Sequence, residues 1–301
     1  MLSDLETYMR KTAALIEAEL ARLIPRESEP PGVIHKAMRY SFCSGGKRLR
    51  AMLAMEAAGL RGGPRRRALP VAASLEMIHA YSLIHDDLPC MDDDDYRRGR
   101  LSNHKVFGEG LAVLAGDALL TEAFVVLSRL PELIGLAPDV TVRVIAQVAK
   151  AASTVGLIGG QVADLEAEGA PLDSRAAETL RFIHERKTGA LFRGSLLAGA
   201  LVGGLDDSDL VVVERYAEHF GLAFQIVDDL LDVVGDSERL GKAVGSDQRQ
   251  QKLTYPRLYG LDRSRAMAQE AVEAAQESVR VFGQAAEGLV DLAAFAVVRE
   301  H

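Results

Sequence analysis

What this chain lacks narrows it first. Its 301 residues include only two cysteines, Cys43 and Cys90, too few for a disulfide framework, and neither stands in a CxxC pair or a Cys/His cluster of zinc spacing. That usage fits a reducing compartment, and a cytoplasmic protein is the expectation. Residues 1–20 carry acids throughout and no continuous apolar block, so they read as neither signal peptide nor transit sequence. The longest uncharged apolar stretch, Gly194 to Leu205, holds four glycines and falls short of the roughly 20 residues a membrane helix needs. Asn-Gly and Asp-Gly turns are absent and period-two alternation is rare, which argues against hairpin-built sheets. Positive charge is short as well: 35 Lys plus Arg stand against 43 Asp plus Glu, a net charge of −8. The broad basic surface that nucleic acid or anionic lipid selects is therefore missing.

What is present is helix. Ala, Leu, Glu and Arg fill the segments between breakers, and 48% hydrophobic with 26% charged residues suits a folded chain with a substantial core. Breakers fall at Pro25 with Pro30 and Pro31, at Gly62-Gly63-Pro64, at Pro89, at Pro131 with Pro138, at Gly169 to Pro171, and at Gly203-Gly204. They predict eight to ten helices. With no polar linker and no fixed-period repeat, residues 1–301 read as a single all-α domain.

Two predicted helices carry the chemistry. Over 210–232, Val213, Ala217, Phe220, Phe224, Val227 and Leu231 step by four and three, the mark of a buried stripe. At about 100° per residue Asp228, Asp229 and Asp232 share one face, on the core side. The segment 68–88 repeats the pattern with Leu75, His79, Ser82 and Asp86. Pro89 cannot continue that helix, so the chain is expected to turn and bring Asp92 round to face Asp86. Asp93 to Asp95 read largely as a solvated acidic loop.

Carboxylates clustered on apolar stripes repel one another and lose hydration unless cations compensate them. Oxygen-only ligands favour Mg²⁺ or Ca²⁺. The spacing is not that of an EF-hand loop, and Mg²⁺ habitually shares its shell with substrate phosphates, so Mg²⁺ with a phosphorylated ligand is preferred. The cations that phosphate requires lie nearby in sequence: Arg97, Arg98 and Arg100, then Lys47, Arg48 and Arg50 after Gly45-Gly46, and Lys187, Lys242 and Lys252. The glycine-led group precedes an apolar run, a plausible anion site at a helix start.

The motifs GGKRLR (45–50), EMIHAYSLIHDDLPCMDDDDYRRG (76–99), NHKVFGE (103–109), LAGDALL (114–120), GLIGGQVADLEAEG (156–169), HERKTGALFR (184–193), FQIVDDLLDVVGD (224–236) and KLTYP (252–256) resemble those of the trans-isoprenyl diphosphate synthases, or polyprenyl synthetases. They look most like the bacterial farnesyl diphosphate synthases. Two aspartate-rich motifs 142 residues apart, with the cationic motifs in order, make coincidence a poor account. The resemblance implies a helical bundle around a central substrate cavity, usually a homodimer. It also implies Mg²⁺-dependent head-to-tail condensation of isopentenyl diphosphate with dimethylallyl or geranyl diphosphate. By position Asp86, Asp92 and Asp228 would ligate Mg²⁺, three ions bound with the allylic diphosphate, with Asp87, Asp229 and Asp232 supporting through water. Arg97, Lys187 and Lys242 would hold the allylic diphosphate. Lys47, Arg50, His79 and Arg98 would hold isopentenyl diphosphate, and Lys252 would lie near the diphosphates on closure. The oxygens of Thr188 and Gln225 would stabilise transient positive charge, and Tyr81, beside Ser82, would floor the cavity at the C15 product.

Geranylgeranyl diphosphate synthesis is the alternative product. A terpene cyclase would share the acidic motif but needs no second diphosphate site, so Lys47, Arg50 and His79 argue against it. Ala51, Leu101-Ser102, Gln251 and Leu253 depart from the usual pattern without removing a ligand.

Overall fold

A computed structural model of the chain describes residues 2–42, 45–169, 174–234 and 253–298. Those residues form a bundle of fifteen α-helices. In order these are α1 (Leu2–Leu23), α2 (Gly32–Phe42), α3 (Leu49–Gly59), α4 (Leu69–Asp86), α5 (Asn103–Phe107), α6 (Glu109–Ser128), α7 (Leu130–Ile134) and α8 (Pro138–Ala152). There follow α9 (Leu157–Ala167), α10 (Ala176–Ile183), α11 (Ala190–Val202), α12 (Asp207–Val234), α13 (Tyr255–Tyr259), α14 (Leu261–Val279) and α15 (Glu287–Val298). The fold class agrees with the sequence reading, but the helices outnumber the eight to ten expected. Single glycines the breaker pattern passed over divide otherwise continuous helix: Gly108 (φ 86) separates α5 from α6, and Gly260 (φ 79) separates α13 from α14, conformations that cost glycine little. Pro131 and Pro138, by contrast, sit in the first turns of α7 and α8, where a missing N–H is harmless.

The core is continuous. α4 packs on α6 and α3, α11 on α3 and α8, and α12 on α14. The glycine-rich stretch 194–205 belongs to buried α11, whose Gly199 meets the backbone of Ala54 on α3. Long α12 contributes Val213, Ala217 and Phe220 to the main core and Ile226, Val227 and Leu230 to a second cluster with Leu180, Tyr255 and Ala268. Its acidic end is thereby held between two packed groups. Segments 109–128 and 138–167 are long and apolar enough to cross a membrane by composition. The first nonetheless buries Ala112, Ala115, Leu119, Ala123 and Val126 within the bundle.

A two-residue hairpin, β1 (Tyr96–Arg97) and β2 (Arg100–Leu101), is the sheet among the described residues. Its turn is Arg98-Gly99, both at positive φ (55 and 73), the pattern of a type I′ turn with arginine where Asn or Asp is usual.

Candidate active site

The first acidic wall is built as expected at the end of α4. Beyond Pro89 the chain folds back so that the backbone N–H of Asp92 donates to the Asp86 carbonyl at 2.9 Å. Burial, with Asp92 and Asp87 adding to it and Lys187 and Arg97 opposing, pushes the Asp86 carboxyl up to about 6. Asp87 has a separate task. It is buried and accepts from Arg97 Nε at 2.8 Å and from the same guanidinium's Nη2, which also reaches Asp94 at 3.0 Å. Arg97 is thus tied to the acidic loop rather than open on all sides.

The second wall is the α12 face. Asp229 and Asp232 are buried, Asp228 half-buried. Asp229 accepts from Gln225 Nε2 at 3.0 Å and from the backbone N–H of Tyr255 at 2.9 Å. The second contact docks the chain after Lys252 onto the acidic helix, and the first orients the Gln225 amide. Lys242 and Lys252 lie outside the described residues, as does Gln251; Leu253 is half-buried.

Between the walls runs a feature with no signal in the pattern of apolar spacing. Residues 184–189 form a π-helical turn joining α10 to α11, a form enriched at functional sites. It carries Lys187 and Thr188, both half-buried. Lys187 Nζ lies 2.6 Å from Asp164 Oδ2 of α9, and its charge acts on Asp86 and on His184. A Cβ at Gly160 would collide with the backbone of Lys187, so α9 approaches this turn with a glycine and holds its lysine with the acid one turn later. Asp164 and Gly160 went unassigned in the sequence; their i, i+4 spacing was the signal. His184 stacks on Tyr255 with centroids 5.4 Å apart, and burial lowers it to about 3. It is neutral, so its 3.8 Å approach to Asp229 is not an ion pair.

The cationic motifs converge on α4 from the other side. Arg48, at φ 51, is buried and structural: it meets Glu76 and Glu17 at 3.3 Å and donates to the Phe42 carbonyl. Glu76 also accepts from the Ala51 N–H at 3.3 Å, a bond that proline at 51 could not make. Arg50 stands over the Phe192 ring at 4.6 Å, and its buried Nε has no hydrogen-bond partner. Burial first, then Arg98, lowers it to about 10, against Glu76 and Asp228. That last interaction ties the cationic loop to the second acidic wall. Arg98 donates to the Gly45 carbonyl, and Gly46 leaves the space its guanidinium fills. Lys47 is exposed, its Nζ 5.0 Å from the Phe295 ring centroid. His79 sits among these groups; burial, then Arg50, Arg98, Arg48 and Arg97, hold it well below the ordinary histidine range. It is a neutral hydrogen-bonding group inside a cationic cluster. His79, Arg48, Glu76, Asp87, Arg97 and Arg98 line a cavity of about 30 Å³.

Tyr81 is buried, its hydroxyl without a partner and its ring edge against His85, centroids 5.7 Å apart. Burial and then Asp86 push its hydroxyl up to about 12. Ser82 Oγ donates to the His79 carbonyl at 3.0 Å. A cavity of about 510 Å³ opens on the far side of the π turn, against His184, Tyr255 and Tyr259, and none of the sequence-assigned residues lines it.

The donor set fits Mg²⁺: Asp86, Asp92 and Asp228 offer oxygen alone, and Asp86 is buried beside the like charges of Asp92 and Asp87, which a bound cation would offset. The polyprenyl synthetase family model matches residues 31–289. The chain is 45% identical over 298 residues to a geranylgeranyl diphosphate synthase of Cyanophora paradoxa, covering 99% of this chain and 97% of the relative. It is 43% identical over 298 residues to the farnesyl diphosphate synthase of Geobacillus stearothermophilus, covering 99% of each. A geranyltransferase of Helicobacter pylori, solved with magnesium and isoprenyl diphosphate, superposes with a TM-score of 0.82 at 30% identity, over 97% of this chain and 96% of that one. Two acidic walls facing a lysine-bearing π turn, with these likenesses over nearly the whole length, settle the family: the chain belongs to the polyprenyl synthetases, a family of trans-prenyltransferases.

Proposed function

We propose that this protein condenses isopentenyl diphosphate head-to-tail with dimethylallyl and geranyl diphosphate and releases farnesyl diphosphate. The observation that carries the reading is the pairing of Asp86 and Asp92 on one wall with Asp228 on the other, and Lys187 acting on the first. Mg²⁺ held by those carboxylates would supply Lewis-acid stabilisation to the departing diphosphate. Lys187 and Arg97 add fixed positive charge on the same side. Arg50, Arg98 and Lys47, with neutral His79 as a hydrogen-bonding partner, hold the second diphosphate; a bidentate guanidinium suits that task. Thr188 and Gln225 present oxygens to the allylic cation after C–O cleavage, and the apolar walls keep water from it. The isopentenyl double bond attacks the cation, and the proton it loses goes to the departing diphosphate, so no side-chain base is required.

A C20 product is the second reading, favoured by the named activity of the Cyanophora relative. Tyr81, buried one and a half turns before Asp86, supports C15. The assembly we propose is a homodimer through α6, α8 and α9, where exposed Leu114, Val125, Val142 and Val162 lie.

Labelled isopentenyl diphosphate supplied with dimethylallyl, geranyl or farnesyl diphosphate and Mg²⁺ tests the function by product chromatography. Accumulation of C15 and no extension of the farnesyl primer is expected. Extension to C20 overturns the product assignment, and no elongation from any primer overturns the reaction. Asp86→Ala and Asp228→Ala should each lower turnover by roughly a thousandfold or more with the helical circular-dichroism spectrum intact.

A further inference from the structure

We propose that Asp93, Asp95 and His104 form a second cation site, separate from the carboxylate walls, that takes a borderline divalent transition metal of which Zn²⁺ is the type. Asp93 and Asp95 are exposed in the loop after α4, and His104 lies in the first turn of α5. Their ligand atoms fall within 4.8 Å of one another. Exposed acids alone would carry no such inference; His104 does. Its side chain is 6% exposed, and both Nδ1 and Nε2 are buried with no hydrogen-bond partner. A buried imidazole with two unmet nitrogens loses its interactions with water and recovers none. Neighbouring Asn103 differs in degree: its Oδ1 is buried without a partner, but its Nδ2 donates to the Ala37 carbonyl at 2.9 Å and to Ser41 Oγ at 2.8 Å, whereas neither ring nitrogen of His104 is paired.

One ring nitrogen and two carboxylate oxygens make a mixed donor set. That set suits Zn²⁺, Co²⁺ or Mn²⁺, whereas Mg²⁺ and Ca²⁺ prefer oxygen throughout. Three protein ligands leave a fourth position for water. Lys105 Nζ stands 2.6 Å from Asp95 Oδ1 as an exposed ion pair; a bound dication would displace it, at small cost for a surface pair. The ligands bracket the hairpin that carries Arg97 and Arg98, so a metal here would pin the loop joining α4 to α5 at both ends.

The full chain, stripped with chelator and titrated with Zn²⁺ alone, tests the assignment without any diphosphate. The wild type and an Asp86→Ala/Asp228→Ala variant should each retain one Zn²⁺ per chain after desalting. His104→Gln should retain none, and Asp93→Asn or Asp95→Asn should bind about tenfold more weakly or worse. Equal retention by His104→Gln and wild type overturns the site, as does loss of Zn²⁺ from the Asp86→Ala/Asp228→Ala variant. Should His104→Gln fail to fold by circular dichroism, exposed Asp95→Asn decides, and unchanged affinity there overturns the proposal. Farnesyl diphosphate synthesis can fail its own test with this result untouched.

Discussion

Tyr81 lies five residues before Asp86 on α4, about 7.5 Å along the axis at 1.5 Å per residue. Its surroundings are apolar enough to leave the hydroxyl without a partner, and its ring is braced rather than loose. His85 meets the ring edge, while its own Nε2 sits 3.0 Å from the Val113 carbonyl of α6. On the proposed reaction, a braced aromatic ring this close to the reacting end would act as a stop for a growing chain. Tyr81→Ala should therefore shift product from C15 toward C20 and longer, while costing stability on the order of 3 kcal/mol for the cavity left behind. Tyr81→Phe keeps the ring and should keep C15. An unchanged distribution in the alanine variant, read by chromatography, would refute the floor. Other single residues were less open to the eye than this one. Arg48 and Arg50 are two positions apart in one cationic string and each buries an Nε without a partner, yet Arg48 is spent on Glu76, Glu17 and a carbonyl, whereas Arg50 stands over the Phe192 ring. Which arginine is structural depends on contacts as distant as Glu76, 28 residues away, and Glu17, 31 residues away, and composition does not carry them.

Among elements, α4 and α12 were legible because each carries a long stripe of fixed period, and a stripe names its own buried face. The turn at Pro89 was legible for a similar reason, since a proline leaves a helix few options. The π turn at 184–189 was not, because one extra residue in a turn does not disturb a four-three apolar pattern enough to be read. What makes it possible is Gly160, against whose Cα the Lys187 backbone lies. Gly160→Ala should push that turn away from α9, break the Lys187–Asp164 pair and displace the lysine from Asp86. We expect turnover to fall about 100-fold or more, stability to fall by about 1–3 kcal/mol, and helical content to hold. Near-normal turnover in the alanine variant would show that Lys187 does not depend on the close approach of α9. The hairpin turn was hidden differently: Arg98-Gly99 does what Asn-Gly usually does, and its arginine at positive φ reaches the Gly45 carbonyl.

The molecule as a whole carries a net charge of −8 and yet, on our reading, takes polyanionic substrates, so the sign that matters is local. Acids crowd at the ends of α4 and α12, and bound Mg²⁺ would invert their charge for diphosphate. The same whole-molecule view bears on assembly. α6 packs one face into the bundle and leaves Leu114 57% and Val125 43% exposed, about 20° apart on its wheel at 100° per residue. α8 touches α6 and leaves Val142 64% exposed; α9 touches α8 and leaves Val162 half exposed, with Val155 more than half exposed in the turn before it. Exposed apolar side chains on three helices packed in succession are costly in a monomer and ordinary at an interface between copies, where Asp117 and Thr121 on the same face of α6 would be polar contacts. Burying Leu114 or Val142 against a partner makes each intolerant of charge, whereas on a free surface either could become arginine at little cost. We expect sedimentation velocity to show a dimer for the wild-type chain, weakened about 100-fold by Leu114→Arg or Val142→Arg with the circular-dichroism melt of the monomer preserved. A wild-type monomer, or a dimer that neither charge disturbs, would rule out this face as the interface.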